Sequence, residues 1–171
     1  MKDITPIKRH QALLSLSRDH HFGLLLVWKI KRGLDLHIEL DRVSNYVIYF
    51  FEQDLRPHFQ EEEQMLFPKL PANNPMRQRA EKEHTELYAL VDQIKTDKLN
   101  DKLLRRFSEL LKDHIRFEER ELFGAIQQMF TNEELENMTA HDNNRSVETD
   151  VNWHDAFWNA KAPMLQKKET K

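Results

Sequence analysis

Apolar residues recur along this chain at three- and four-residue steps, the spacing of a helix face rather than a strand face. Four long segments carry the pattern. The first spans residues 7–32 and aligns Leu13, Leu16, His20, Leu24 and Val27, with Gly33 placed to cap its C-terminus. The second spans residues 41–67, with Val43, Val47, Phe50, Phe51, Leu55, His58, Glu62, Met65 and Leu66 in line. It stops at residues 68–75, where three prolines and two asparagines mark a loop. Inside it, Pro57 removes a backbone donor next to His58, which predicts a kink or a local bulge. The third segment spans residues 75–96, with Pro75 in the first turn and His84, Leu87, Tyr88, Val91 and Ile94 on its inner face. The fourth spans residues 100–130 and aligns Leu103, Phe107, Leu110, Leu111, His114, Glu118, Leu122, Ala125 and Met129.

Short connections place neighbouring helices antiparallel, so the pattern predicts an all-α fold, an up-down-up-down antiparallel four-helix bundle. A short fifth helix begins at Thr131, where Thr-Asn-Glu-Glu reads as a capping box. The bundle is assigned residues 1–140 and a C-terminal tail residues 141–171. Residues 141–150 read as a polar loop and 166–171 as a frayed end. Trp153, Phe157 and Trp158 are expected to fold back onto one end of the bundle, or else to anchor a partner.

Composition narrows the chemistry. The chain of 171 residues has three glycines, which disfavours glycine-rich phosphate loops, and no cysteine, which excludes disulfides, thiolate metal sites and a cysteine nucleophile. Twenty-six Lys and Arg against 29 Asp and Glu give no general attraction to nucleic acid or anionic membranes. The longest apolar run, residues 24–28, is too short to span a bilayer, and the first residues lack a signal-type apolar stretch. A cytoplasmic protein is the expectation.

The nine histidines then become informative through their placement. His58 and Glu62 are four residues apart and share one face of the second segment, among apolar neighbours. His114 and Glu118 repeat this in the fourth. A carboxylate buried there without a partner would cost several kcal/mol, about 3–5 for a broken pair, so pairing or metal ligation is required. The two stretches are also alike in sequence. His58–Pro68, HFQEEEQMLFP, lies over His114–Gly124, HIRFEERELFG, with identity at five of eleven positions. Each is preceded by a helix with its own inward histidine, His20 and His84. Two such hairpins about a pseudo-twofold axis would bring four imidazoles and two carboxylates to one point. This nitrogen and oxygen set suits iron, manganese or zinc. If both carboxylates bridge, each of two metals receives two histidines and two oxygens, with positions left for water, dioxygen or nitric oxide.

These residues resemble the hemerythrin-like, or HHE cation-binding, family. The resemblance spans about residues 10–129 and rests on LSRDHHFGL around His20, HFQEEEQMLFP, EKEHTEL around His84 and DHIRFEERELF. It implies a bundle around a non-haem, carboxylate-bridged centre of two iron ions. His20, His58, His84 and His114 would be terminal ligands, and Glu62 and Glu118 bridges. Oxygen-carrying hemerythrins have a further histidine where this chain has Tyr88, and a bridging Asp where it has Glu119. The pattern is instead similar to bacterial iron–sulfur-repair di-iron proteins and eukaryotic iron-sensing domains. The repair proteins add a cysteine-containing domain, and cysteine is absent here.

Other residues have weaker claims. His21 faces about 100° from His20, His37 is a further ligand or a bundle-end residue, and His10, His141 and His154 read as surface or packing residues. Glu61, Glu63 and Glu119 read as a solvated face first, with Glu119 as a substitute bridge second. Tyr88 either packs or hydrogen-bonds a metal-held ligand. Three functions follow: binding or sensing a small diatomic ligand, an oxidant or iron; a di-iron oxidoreductase acting on peroxide, nitric oxide or dioxygen; or an interaction module with a structural metal.

Overall fold

Asparagine starts two of the long helices, with its side-chain oxygen accepting from the first free backbone N–H groups. Asn74 accepts from Met76 and Arg77 at 2.9 and 3.1 Å, with Pro75 opening the helix. Asn100 accepts from Lys102 and Leu103 at 3.2 and 3.3 Å. The computed structural model describes residues 8–138 and 145–161, and among them every regular element is helical. A 3₁₀ turn, Gln11–Leu13, leads into α1, Leu14–Asp35. The second stretch is built from α2, Leu40–Phe50, a π turn at Phe51–Leu55, α3, Arg56–Glu61, a second π turn at Glu62–Leu66, and a 3₁₀ turn at Phe67–Lys69. Next come α4, Pro75–Thr96, then α5, Asp101–Phe117, which runs through a third π turn, Glu118–Leu122, into α6, Phe123–Met129. The chain continues with α7, Asn132–Glu136, α8, Arg145–Val151, and a 3₁₀ turn at Phe157–Asn159. No described helix is long and apolar enough to cross a membrane.

The helices pack as a bundle, α1 against α5 and α2, and α4 against α5 and α2. Two apolar clusters fill it. One contains Leu26, Ile30, Phe51, Leu87 and Phe107, the other Leu13, Leu16, Leu66, Ala80 and Phe123. Each long stretch passes from one cluster to the other, and the first and third run opposite to the second and fourth. The histidines and glutamates lie at each crossing, between the two clusters. The polar residues are therefore sealed from both ends by packed side chains.

Three details differ from the periodic expectation. A π turn contains one extra residue and rotates the helix face that follows it. After Glu118–Leu122, Phe123 and Ile126 are consequently buried, while Ala125 is half-buried and Met129 exposed. In α1, Leu24 is exposed and Val27 partly so, while Gly23, Leu26 and Ile30 face inward. Gly23 permits the close approach of α5, since a Cβ there would lie 2.7 Å from Ile115 Cδ1. Gly33 does not cap α1. The helix continues past it, and His37 ends it with φ 54°, its N–H on the Leu34 carbonyl and that of Ile38 on the Gly33 carbonyl. The bulge expected near Pro57 is the π turn Phe51–Leu55, where Arg56 N–H bonds the Phe51 carbonyl.

Residues 145–150, expected as loop, form most of α8. Residues 1–7, 139–144 (with His141) and 162–171 (with the end expected to fray) lie outside the described residues. The tail packs on α1 and α2. Phe157 is buried, and Tyr46 meets Trp153, Phe157 and Trp158 at 5.4, 6.0 and 4.8 Å between ring centroids. Lys29 Nζ lies 2.9 Å from Asp150 and 4.0 Å from the Trp158 ring centre, and the Tyr46 hydroxyl donates to Asp150 at 2.6 Å. Burial and the Asp150 carboxylate push the Tyr46 hydroxyl far above its ordinary value. Arg42 grips Asp155 with two bonds of 2.8 and 2.9 Å.

A Cβ on Gly33 would lie 2.8 Å from both Phe157 and Val43. Gly33→Leu is therefore expected to destabilise the chain by about 2–3 kcal/mol and to shift Trp153 and Trp158 emission to the red. An unchanged urea midpoint with unchanged emission would show that Phe157 is not seated on α1.

Candidate metal centre

The four-residue spacing sets the site. One α-helical turn separates His58 from Glu62 and His114 from Glu118, so each pair projects from one face, and α1 and α4 add His20 and His84. All six side chains are buried, none more than 3% exposed. Both glutamates also open a π turn: the Glu62 carbonyl accepts from Phe67 N–H and the Glu118 carbonyl from Phe123 N–H. Just past each wide turn, Phe67 lies against His84 and Phe123 against His20, with ring centroids 5.3 and 5.2 Å apart.

The inner atoms converge. His58 Nε2 lies 3.1 Å and His20 Nε2 3.7 Å from Glu62 Oε1, while His20 Nε2 is 2.9 Å from Glu118 Oε2. On the other side, His84 Nε2 is 3.3 Å from Glu62 Oε2 and His114 Nε2 is 3.3 Å from Glu118 Oε1. The Nε2 atoms of His84 and His114 are 3.1 Å apart. Two groups result, His20, His58, Glu62 and Glu118, and Glu62, His84, His114 and Glu118. Within each group the ligand atoms lie within 4.8 Å of one another. Both carboxylates belong to both groups.

Between these imidazoles and carboxylates, the separations lack hydrogen-bond alignment. His20 Nε2, His58 Nε2 and all four oxygens of Glu62 and Glu118 have no hydrogen-bond partner, a costly condition for buried polar atoms. The cluster demands positive charge. Burial alone would push the His58 imidazole down, yet Glu62 and Asp19 hold it well above its ordinary value. Burial likewise opposes His84, which Glu62 and Glu63 nevertheless push up to about 9. Burial would raise Glu62, but His58 and His84 hold it well below the usual carboxylate range. Protons on the imidazoles supply this charge, and a cation replaces them when it binds neutral histidine and ionised carboxylate. The residues present fit a metal ion.

The outer nitrogens are all occupied, and by a closed circuit. His20 Nδ1 meets Glu119 at 2.7 Å, His58 Nδ1 meets Asp19 at 3.0 Å, His84 Nδ1 meets Glu63 at 2.8 Å and His114 Nδ1 meets Glu83 at 2.7 Å. Each carboxylate comes from a different helical stretch than the histidine it holds. It keeps the proton on Nδ1 and turns the Nε2 lone pair inward, as metal-binding imidazoles require. Aromatic rings fix the remaining faces: Phe59 stacks on His84 with centroids 4.0 Å apart, and Phe123 on His20 at 5.2 Å.

The structure thus brings together His20, His58, Glu62, His84, His114 and Glu118. It corrects the reading of their neighbours. Glu63 and Glu119 are not merely a solvated face, and Glu119 lies outside both groups of converging ligand atoms. Its oxygens take His20, Ser17 and Arg9. Burial would raise its carboxyl, but His20, Ser17 and Arg9 hold it at about 2. Asp19 and Glu83 were missed. Their signal was available, because an acid precedes His20 and His84 and another follows Glu62 and Glu118. Tyr88 packs edge-on against Phe51 and Phe59, and burial together with Glu63 pushes its hydroxyl up to about 12. His21 and His37 are exposed, His154 is exposed, and His10 accepts the Ala12 N–H at 3.1 Å.

A family model, the hemerythrin HHE cation binding domain, matches residues 10–126, which contain all six inner residues. No curated protein and no solved structure matches the chain.

Proposed function

We propose, from the premise that this chain belongs to the hemerythrin HHE cation-binding domain family, that it holds two iron ions and binds or senses a small diatomic ligand or oxidant there. The observation that carries the reading is the sharing of Glu62 and Glu118 between two groups of ligand atoms. Each carboxylate offers one oxygen to each group, which is the arrangement of a bridge between two cations. His20 and His58 would complete one position, His84 and His114 the other.

Iron is favoured by the family to which the chain belongs; the nitrogen and oxygen donors alone suit iron, manganese and zinc alike. When bound, the two irons supply open coordination positions and a reversible change of oxidation state. The chain supplies the rest. The outer carboxylates aim the imidazoles, the π turns bring Phe67 and Phe123 over the site, and both apolar clusters exclude bulk water. A centre sealed by such walls admits small neutral molecules far more easily than charged or bulky ones, because a charge would enter low dielectric unpaired.

Metal analysis of chain produced in iron-rich medium tests this. The expected result is about two irons per chain and a near-ultraviolet charge-transfer band that changes with nitric oxide or peroxide. Fewer than two irons, or two zinc or manganese ions taken in preference to iron, would overturn it.

A further inference from the structure

The internal repeat allows the same outer contact to be compared at both positions, and the contacts are unequal. His20 and His84 correspond, as do their outer carboxylates Glu119 and Glu63. Glu119 is clamped. Arg9 lies 2.9 Å from its carboxylate and donates to its backbone carbonyl at 2.6 Å, and Ser17 Oγ donates to its other oxygen at 2.7 Å. Glu63 has no arginine or lysine on it among the described residues, and its side chain is 35% exposed. The other position has an arginine too, Arg79 on Glu83 at 2.8 Å, but that side chain is 46% exposed whereas Arg9 is 6% exposed.

Arg9 is itself held. Its Nη1 donates to Gln127 at 3.1 Å, the His10 N–H donates to the same oxygen at 3.0 Å, and Gln127 donates back to the Lys8 carbonyl at 3.1 Å. Residues 8–10 are thereby tied to α6. The guanidinium also lies 5.2 Å from the centre of the Phe123 ring that stacks on His20.

We propose that Arg9 is a positioning residue that makes the His20–His58 position the slowly exchanging one, so that the His84–His114 position loses its metal first. The inference rests on the two-metal reading above. For a metal to leave, its imidazole must swing outward and its outer carboxylate must yield. Glu119 cannot follow His20 without abandoning a buried guanidinium, which is strongly disfavoured. Glu63 gives up only the neighbouring Tyr88 hydroxyl and yields into water, where exposed charges lose little.

The test is release of iron from the loaded full-length chain into excess ferrous chelator, followed by absorbance. Two phases of equal amplitude are expected, about 10-fold or more apart. Arg9→Gln should accelerate the slow phase about 10–100-fold and leave the fast phase alone, and Arg9→Lys should restore part of the difference. Glu63→Gln should accelerate only the fast phase. Ser17→Ala, which leaves the ties to Gln127 intact, should accelerate only the slow phase, by less than Arg9→Gln. A single phase for both ions, or equal acceleration of both phases by Arg9→Gln, would overturn the inference while the two-metal reading stands. A wild-type chain that takes up fewer than two irons would overturn that reading itself.

Discussion

Glu62→Ala is expected to strip metal from both positions at once, whereas His58→Ala should weaken one. The difference follows from geometry. Glu62 Oε1 faces His58 and His20, and Oε2 faces His84, so one truncation removes a ligand from each group. His58 Nε2 belongs to a single group. Metal content should therefore fall from about two ions per chain to below about one in Glu62→Ala, with His58→Ala keeping about one. Glu118→Ala should match Glu62→Ala. If Glu62→Ala keeps one tightly held ion, the carboxylate does not serve both groups.

The same loss should appear as stability. A ligand that binds only the folded chain at about 1,000 times its Kd stabilises it by about 4 kcal/mol. For a chain of this length each kcal/mol moves Tm by about 2–4 °C. Chelation of the wild-type chain should then lower Tm by about 10 °C, and Glu62→Ala should start near that lower value and respond little to chelator.

Phe59→Ala should cost about 3–5 kcal/mol, the largest expected effect of any apolar truncation in the site. The ring is 1% exposed, stacks on His84 and meets His114, Phe51 and Tyr88 edge-on at 5.7, 6.1 and 5.9 Å. Removing it opens a cavity beside two imidazoles and frees the face of His84. Urea unfolding with and without chelator separates the two consequences. A loss of similar size in both conditions reports the cavity, and a further loss only in metal-loaded chain reports the freed imidazole. Phe59→Leu keeps most of the volume and should recover most of the stability. A change below about 1 kcal/mol in Phe59→Ala would mean that the site collapses around the missing ring.

Much of the cluster was legible because the meeting of His58 with Glu62 and of His114 with Glu118 is tied to helical spacing. A buried glutamate four residues after a buried histidine has few inexpensive explanations, and its recurrence in a second segment with the same Leu-Phe ending removes most of them. The outer carboxylates were less legible for a physical reason. Asp19, Glu63, Glu83 and Glu119 lie beside the inner residues in sequence but point off the inner face, as solvated charges do. What makes them part of the site is the neighbouring helix whose histidine each one meets.

The register errors have two origins. Leu24, Ala125 and Met129 were assigned inward by uniform helical rotation. Rotation is not uniform where a π turn adds a residue after Glu118, and an apolar stripe on α1 wider than its contact leaves Leu24 outside. Gly33 looked like a helix end because glycine often is one. It is instead the floor under Phe157, a contact between residues far apart in the chain.

By itself the sequence determined the all-helical fold, the stretches that carry it, the starts at Pro75, Asn100 and Thr131, and the six residues that the structure brings together. All of these rest on interactions within about one turn of helix, which spacing and residue type record directly. Only the tertiary structure decided which oxygen faces which histidine, which acid holds each Nδ1, and why Arg9 leaves the two positions unequal. The contacts between helices that decide these join residues 21 to 118 positions apart, and no local periodicity encodes which helix faces which once the chain is packed.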